Sequence, residues 1–244
     1  MPTVRTLTSV PAEEKDEVVR DFRSEGASVQ EISENDGSFT VIATFPDKNA
    51  EDEELTPNIT GTIDDYTRRV KLPSALNPGL SHAHQSTMLD ILGIPGPKEE
   101  DCKPITNQRL VSLLDEQNVG PFPIPIKGLA PAIETLKKVF DRVKQDHPTL
   151  YSQLDTAGML CCRKVRSSRS SSFSNHSWGT AIDLKINDQL DDVNDDKCQI
   201  GLMILAPYFN DEGFYWGAGF SREDSMHFEA SDELIRNWHS AGKI

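Results

Sequence analysis

Two short stretches, well separated along the chain, limit what it can fold into. They are Ser174-Asn-His-Ser-Trp-Gly-Thr-Ala-Ile-Asp183 and Asp224-Ser-Met-His-Phe-Glu229. A helix through His176 and Asp183 is disfavoured by Gly179 and by β-branched Thr180 and Ile182, so a loop entering a strand is expected. A turn at Gly179 then folds both side chains toward one point, and His227 arrives from a separate strand. Two imidazoles and a carboxylate are suitable ligands for zinc and leave one coordination position open. Asp224, three residues before His227, can then serve as a base, which is the minimum equipment for metal-assisted hydrolysis.

Composition narrows the rest. A chain of 244 residues can bury a substantial core and is expected to form one domain with a small appendage. The formal charge of −14 argues against a sequence-independent grip on nucleic acid, which needs clustered Lys and Arg. No apolar run is long enough for a membrane span. Met1-Pro-Thr-Val-Arg5 does not look like the start of a secretory signal, so the protein is expected to be soluble and cytoplasmic as synthesised. The acidic residues at 47–56 and 188–196 are expected to be solvated loops. Cys102, Cys161, Cys162 and Cys198 form no C-x-x-C pair and are expected to be buried free thiols, with a Cys102–Cys198 bridge left open.

Periodicity predicts an α+β chain. A strand over 3–9, a helix from Pro11 to Gly26, and strands over 27–32 and 38–45 around Asn35-Asp-Gly37 give a β-α-β-β unit at residues 1–50. Residues 51–79, acidic and Pro-containing, read as a linker with a strand near 59–63. The second unit, 80–244, is predicted to contain helices at 86–92, 106–115 (capped by Thr106), 129–145 and 200–209. Its predicted strands are 157–165, 180–186, 214–217 and 226–229, and the alternating prolines of 121–126 force an extended segment. The serine-rich stretch 167–174 reads as a mobile loop, with an active-site lid as the alternative.

Ser174-x-His176-x-x-Gly179-x-Ala181-x-Asp183 followed by Asp224-x-x-His227 resembles the signature of the M15, or VanY-like, zinc D-Ala-D-Ala carboxypeptidase and L-Ala-D-Glu endopeptidase family, which includes phage endolysins. Trp216-Gly-Ala-Gly-Phe220 resembles the family's approach to its last ligand, and the likeness spans roughly residues 80–240. It implies a Hedgehog/DD-peptidase-like fold, a bound zinc ion held by His176, Asp183 and His227, and Asp224 as the catalytic carboxylate in place of Glu, as in the endolysin-like branch. Glu223 is the neighbour that could be mistaken for the base. The resemblance also implies an arginine that stabilises the developing oxyanion. Arg163 is favoured over Arg166 because it still lies within the predicted strand, and Arg169 is less favoured. Ser174 resembles a substrate-contacting serine, Trp178 is a candidate wall of the substrate groove, and Glu229 is expected to support a ligand or bind substrate. Trp216 is expected in the core. The implied substrate is a peptidoglycan stem peptide, reached at the cell wall after export or release. The alternative is a catalytically inactive zinc-bearing binding module of the same fold. The N-terminal unit is a candidate for binding a partner or a wall target.

Overall fold

The computed structural model describes residues 3–10, 12–24, 27–34, 37–45, 65–73, 75–166 and 172–244. Pro11, Gly26, Asn35, Asp36, the whole acidic 47–56 region, the 59–63 strand, Arg169 and most of the serine-rich stretch lie outside them. Backbone contacts divide the chain into two units. The first holds the described residues up to Phe45 with Pro73 and Ala75; the second holds 65–72 and everything described from Leu76 onward. Residues 65–72, assigned to a linker on composition, therefore belong to the second unit.

In the first unit, β1 (Thr3–Val10) is followed by α1 (Ala12–Ser24), β2 (Ser28–Ser33) and β3 (Phe39–Phe45). The sheet order is β1-β3-β2, with both neighbours antiparallel to β3. Val18, Val19 and Phe22 of α1 share a buried core with Leu7, Val10, Ala27, Val41 and Ala43. So few apolar side chains give little stability by themselves.

The second unit runs β4 (Arg69–Lys71), α2 (Gln85–Leu92), α3 (Gln108–Leu113), β5 (Leu114–Gln117), β6 (Ile126–Leu129), α4 (Ala130–Asp146), α5 (Pro148–Tyr151) and β7 (Leu154–Gly158). It continues with β8 (Ala181–Ile186), β9 (Lys197–Gln199), α6 (Ile200–Asp211), β10 (Phe214–Trp216), β11 (His227–Ala230) and α7 (Asp232–Ser240). The central antiparallel sheet is ordered β10-β11-β8-β7. Its inner face is built by alternation: Ile182, Leu184 and Ile186 of β8 are fully buried, and Phe228 of β11 stands opposite Ile182. Phe209 of α6 stacks on Phe228 at 4.1 Å, and α4 adds Ile133, Leu136, Val139, Phe140 and Val143 to the same core. With its inner face committed to this core, the sheet turns Asp183, His227 and Glu229 to the other side.

Three expectations are corrected. The cap of α3 is Asn107, whose side chain accepts from Leu110 N–H at 3.1 Å; Thr106 stays outside, and the helix gives way at Leu114 to a strand paired with β6. The strand predicted over 157–165 ends at Gly158. Beyond it the chain pairs elsewhere, through bridges Lys103–Cys162 and Lys164–Phe173. The third correction is covalent: Cys102 and Cys161 form a disulfide, and only Cys162 and Cys198 are buried free thiols. The bridge spans 59 residues, so reducing it removes about 4 kcal/mol of loop-closure stabilisation. A matching fall in the denaturation midpoint on adding dithiothreitol, absent in a Cys102→Ser/Cys161→Ser variant, checks this.

The acidic 188–196 loop is more than a solvated tract. Arg69 pairs with buried Asp191 at 3.1 Å, with Asp195 at 2.7 Å and with Asp192, while Asp191 also accepts from the Gln199 N–H at 3.1 Å. Burial pushes the Asp191 carboxyl up to about 6, against the pull of Gln199 and Arg69. A raised carboxyl contributes stability that is full below the unfolded value near 4 and is lost as pH rises through 6. The stability difference between wild type and Asp191→Asn is therefore expected to shift in favour of the variant by about 2–3 kcal/mol between pH 4 and 7. Urea unfolding of both proteins across that range measures it.

Candidate metal centre and active site

The register of the central sheet sets His227 of β11 directly opposite Asp183 of β8. His176 comes from a 3₁₀ turn, Asn175–Trp178, that runs into β8. Gly179 makes this entry possible. Its φ of 67° suits glycine, and a Cβ there would lie 2.8 Å from Gly128 Cα and 2.9 Å from Leu129 N. The result is one carboxylate oxygen facing two rings: Asp183 Oδ1 lies 3.1 Å from His176 Nε2 and 3.0 Å from His227 Nδ1. Each ring uses its other nitrogen elsewhere, His176 Nδ1 on the Met159 carbonyl at 2.9 Å and His227 Nε2 on Glu229 at 2.9 Å.

Electrostatics fit a cation at this point. Burial alone would raise Asp183, but the His176 and His227 imidazoles outweigh it and hold the carboxyl far below its ordinary range. Burial opposes charge on His227, yet Asp183 and Glu229 at its two nitrogens push it up to about 10. The three donor atoms lie within 4.8 Å of one another, and among the described residues this is the one His/Cys/Asp/Glu group with metal-holding geometry. Ring orientation by a backbone carbonyl and a carboxylate is the arrangement that supports metal-ligating histidines.

Asp224 lies beside this cluster, within electrostatic range of His227, Asp183 and His176. Its Oδ1 is buried and has no hydrogen-bond partner, which is costly for a carboxylate without a use. Burial raises its pKa, with His227 pulling the other way. Its place is set by the turn before β11. Asp224 N–H donates to Gly217 O at 3.0 Å, and His227 N–H donates to Asp224 O at 3.1 Å. Position 217 must be glycine, since a Cβ would lie 2.5 Å from Asp224 O and 3.0 Å from His227 Cβ. Trp216, in the core as expected, fastens the turn by donating from Nε1 to Ser225 O at 2.6 Å. Glu223 is engaged structurally, accepting from the N–H and hydroxyl of Ser225 and from Asp195 N–H.

Arg163 is half-buried, and its charge reaches both Asp183 and Asp224. Burial and the neighbouring Arg166 lower its pKa. The reason for favouring it changes, because Arg163 lies beyond the end of β7. What places it is a clamp to the 3₁₀ turn. Ser177 Oγ accepts from Arg163 N–H at 3.1 Å and donates to Arg163 O at 2.9 Å, while Ser174 N–H donates to the same carbonyl at 3.0 Å. Arg166 is exposed.

Residues 168–230 match the family model described as D-alanyl-D-alanine carboxypeptidase, of the M15 peptidases. Over that segment, about a quarter of the chain, the sequence is similar to the M15 peptidases. No curated protein and no solved structure matches it. The matched segment contains His176, His227, Asp183 and Asp224 and ends with β11; Arg163 and Arg166 lie just before it.

Two substrate-side expectations are corrected. Trp178 has no exposed surface and cannot wall a groove; its indole donates to Gly93 O at 2.8 Å and its ring packs edge-on against Phe173. Glu229 is buried behind His227, where it also accepts from Ala83 N–H at 3.0 Å and Asn175 Nδ2 at 2.8 Å, so it holds the His227 ring and is closed to substrate. Ser174 is buried at the start of the 3₁₀ turn. Asn175 and Ser177 escaped sequence reasoning, although both flank His176 in the motif. Asn175 ties Glu229 to Ala83 O, and Ser177 ties His176's turn to Arg163. The His82 and His84 rings lie tilted with centroids 4.5 Å apart, and among the described residues they join no metal-holding group.

Proposed function

We propose that the second unit is a zinc peptidase of Hedgehog/DD-peptidase-like fold that hydrolyses peptidoglycan stem peptides, as a D-Ala-D-Ala carboxypeptidase or an L-Ala-D-Glu endopeptidase. His176 Nε2, Asp183 Oδ1 and His227 Nδ1 would hold the metal. Zinc, when bound, supplies a Lewis acid that brings the pKa of a water to about 7. Asp224 takes the proton of the attacking water and delivers it to the leaving amine. Arg163 stabilises the negative charge that develops on the carbonyl oxygen. Met159 O and Glu229 keep the two rings in their tautomers. The observation that carries this reading is Asp224 Oδ1, buried and unpaired beside a His/Asp/His cluster. The Cys102–Cys161 disulfide supports action in an oxidising location such as the cell wall, after export or release.

The test is mass spectrometry of stem peptides digested with the zinc-loaded full chain. Loss of a single D-Ala marks the carboxypeptidase, and cleavage between L-Ala and D-Glu marks the endopeptidase. Unchanged peptides with zinc bound would leave the chain a binding module.

A further inference from the structure

We propose that Arg166 and Arg222 form a subsite that grips a free carboxylate of the peptide next to the scissile bond. The proposal rests on the peptidase reading and names the group by which this site would choose its substrate. Arg222 lies on the turn that delivers Asp224, and Arg166 lies three residues after Arg163. Arg222 Nη1 donates to the Arg166 carbonyl at 3.4 Å, so the turn and the 163–166 segment meet at these two residues. The Arg222 guanidinium thus reaches the backbone of the segment that carries Arg163 and Arg166, and the Arg166 charge acts on Arg163, whose own charge reaches Asp183 and Asp224.

This is unexpected in a chain of charge −14. Several of its other cations are ion-paired: Arg69 with three aspartates, Arg142 with Asp211 and Glu212, and Lys164, between the two arginines, with Glu100 at 2.5 Å. Among the described residues no carboxylate lies within ion-pair distance of Arg163, Arg166 or Arg222. Arg163 is half-buried and its guanidinium donates to Lys164 O at 3.0 Å, whereas Arg166 and Arg222 are exposed. Holding Arg166 and Arg222 on adjoining segments with no carboxylate partner leaves two forked donors open to an anion. Forked guanidinium donors match a carboxylate geometrically. A stem peptide offers one on either proposed side: the terminal carboxylate of D-Ala, or the free carboxyl of D-Glu.

The test uses the zinc-loaded full chain and two pairs of synthetic peptides, each with the relevant carboxylate free or amidated. One pair ends in D-Ala-D-Ala and the other contains L-Ala-D-Glu; the pair that shows a preference identifies the source of the anion. Wild type is expected to favour the free carboxylate in KM by about tenfold, and the preference should shrink with added salt. In Arg166→Gln/Arg222→Gln that ratio falls toward one, and Arg222→Lys restores part of it. The same ratio is read as binding to the Asp224→Asn protein by calorimetry, without turnover. An arginine-dependent preference in binding with no cleavage would sustain the subsite and sink the peptidase reading. Cleavage with no carboxylate preference, or with equal weakening of both peptides in the double variant, would overturn the subsite alone.

Discussion

Replacing Asp224 with Asn is expected to lower kcat by about a thousandfold while zinc content stays at the wild-type level. The substitution keeps the size of the side chain and the turn that holds it, because that turn is secured by the Asp224 backbone and by Trp216. It removes only the capacity of a buried oxygen with no other partner to take a proton. Asp224→Glu should recover part of the rate, whereas Glu223→Gln should act on stability through Ser225 and Asp195. Steady-state kinetics with metal analysis on the same samples separates these outcomes. Activity of Asp224→Asn within tenfold of wild type would remove it from the mechanism.

Arg163→Ala is expected to cost about a hundredfold to a thousandfold in kcat, with a much smaller change in KM, as for loss of a group that acts on developing charge. The clamp to Ser177 uses the backbone of Arg163, so truncating its side chain leaves the segment in place. Arg166→Ala should appear in KM instead. The reverse pattern, a larger kcat loss at Arg166, would exchange the two roles.

Much of this was legible in the sequence for identifiable reasons. Gly179 and the β-branched residues after it announced the change from turn to strand, and the two-residue step from His227 to Glu229 put both on one sheet face. Helix α4 followed from its apolar spacing, since its whole inner stripe is buried. Other features depended on long-range pairing that no local pattern records. The sequence reads as one strand over 157–165, but beyond Gly158 the bridges and the Cys102–Cys161 bond take the chain away from the sheet. The acidic loop reads as solvated because Arg69, more than a hundred residues away in sequence, supplies its counter-charge. Trp178 reads as a groove residue because it lies two residues from His176 in the motif, yet the 3₁₀ turn sends the two side chains in different directions, and Trp178 goes to the core. Arg163 was favoured on a strand that ends before it, and the serine clamp that places it uses Ser177, a residue with no catalytic character of its own.

The most direct test of the metal centre is zinc titration of the metal-stripped full chain, reading bound metal and peptide hydrolysis together. The account predicts one zinc per chain, hydrolysis rising in proportion to bound zinc, and loss of both in Asp183→Ala and in His176→Ala/His227→Ala. Hydrolysis by the metal-stripped protein, or a full equivalent of zinc retained by the double histidine variant, would contradict it.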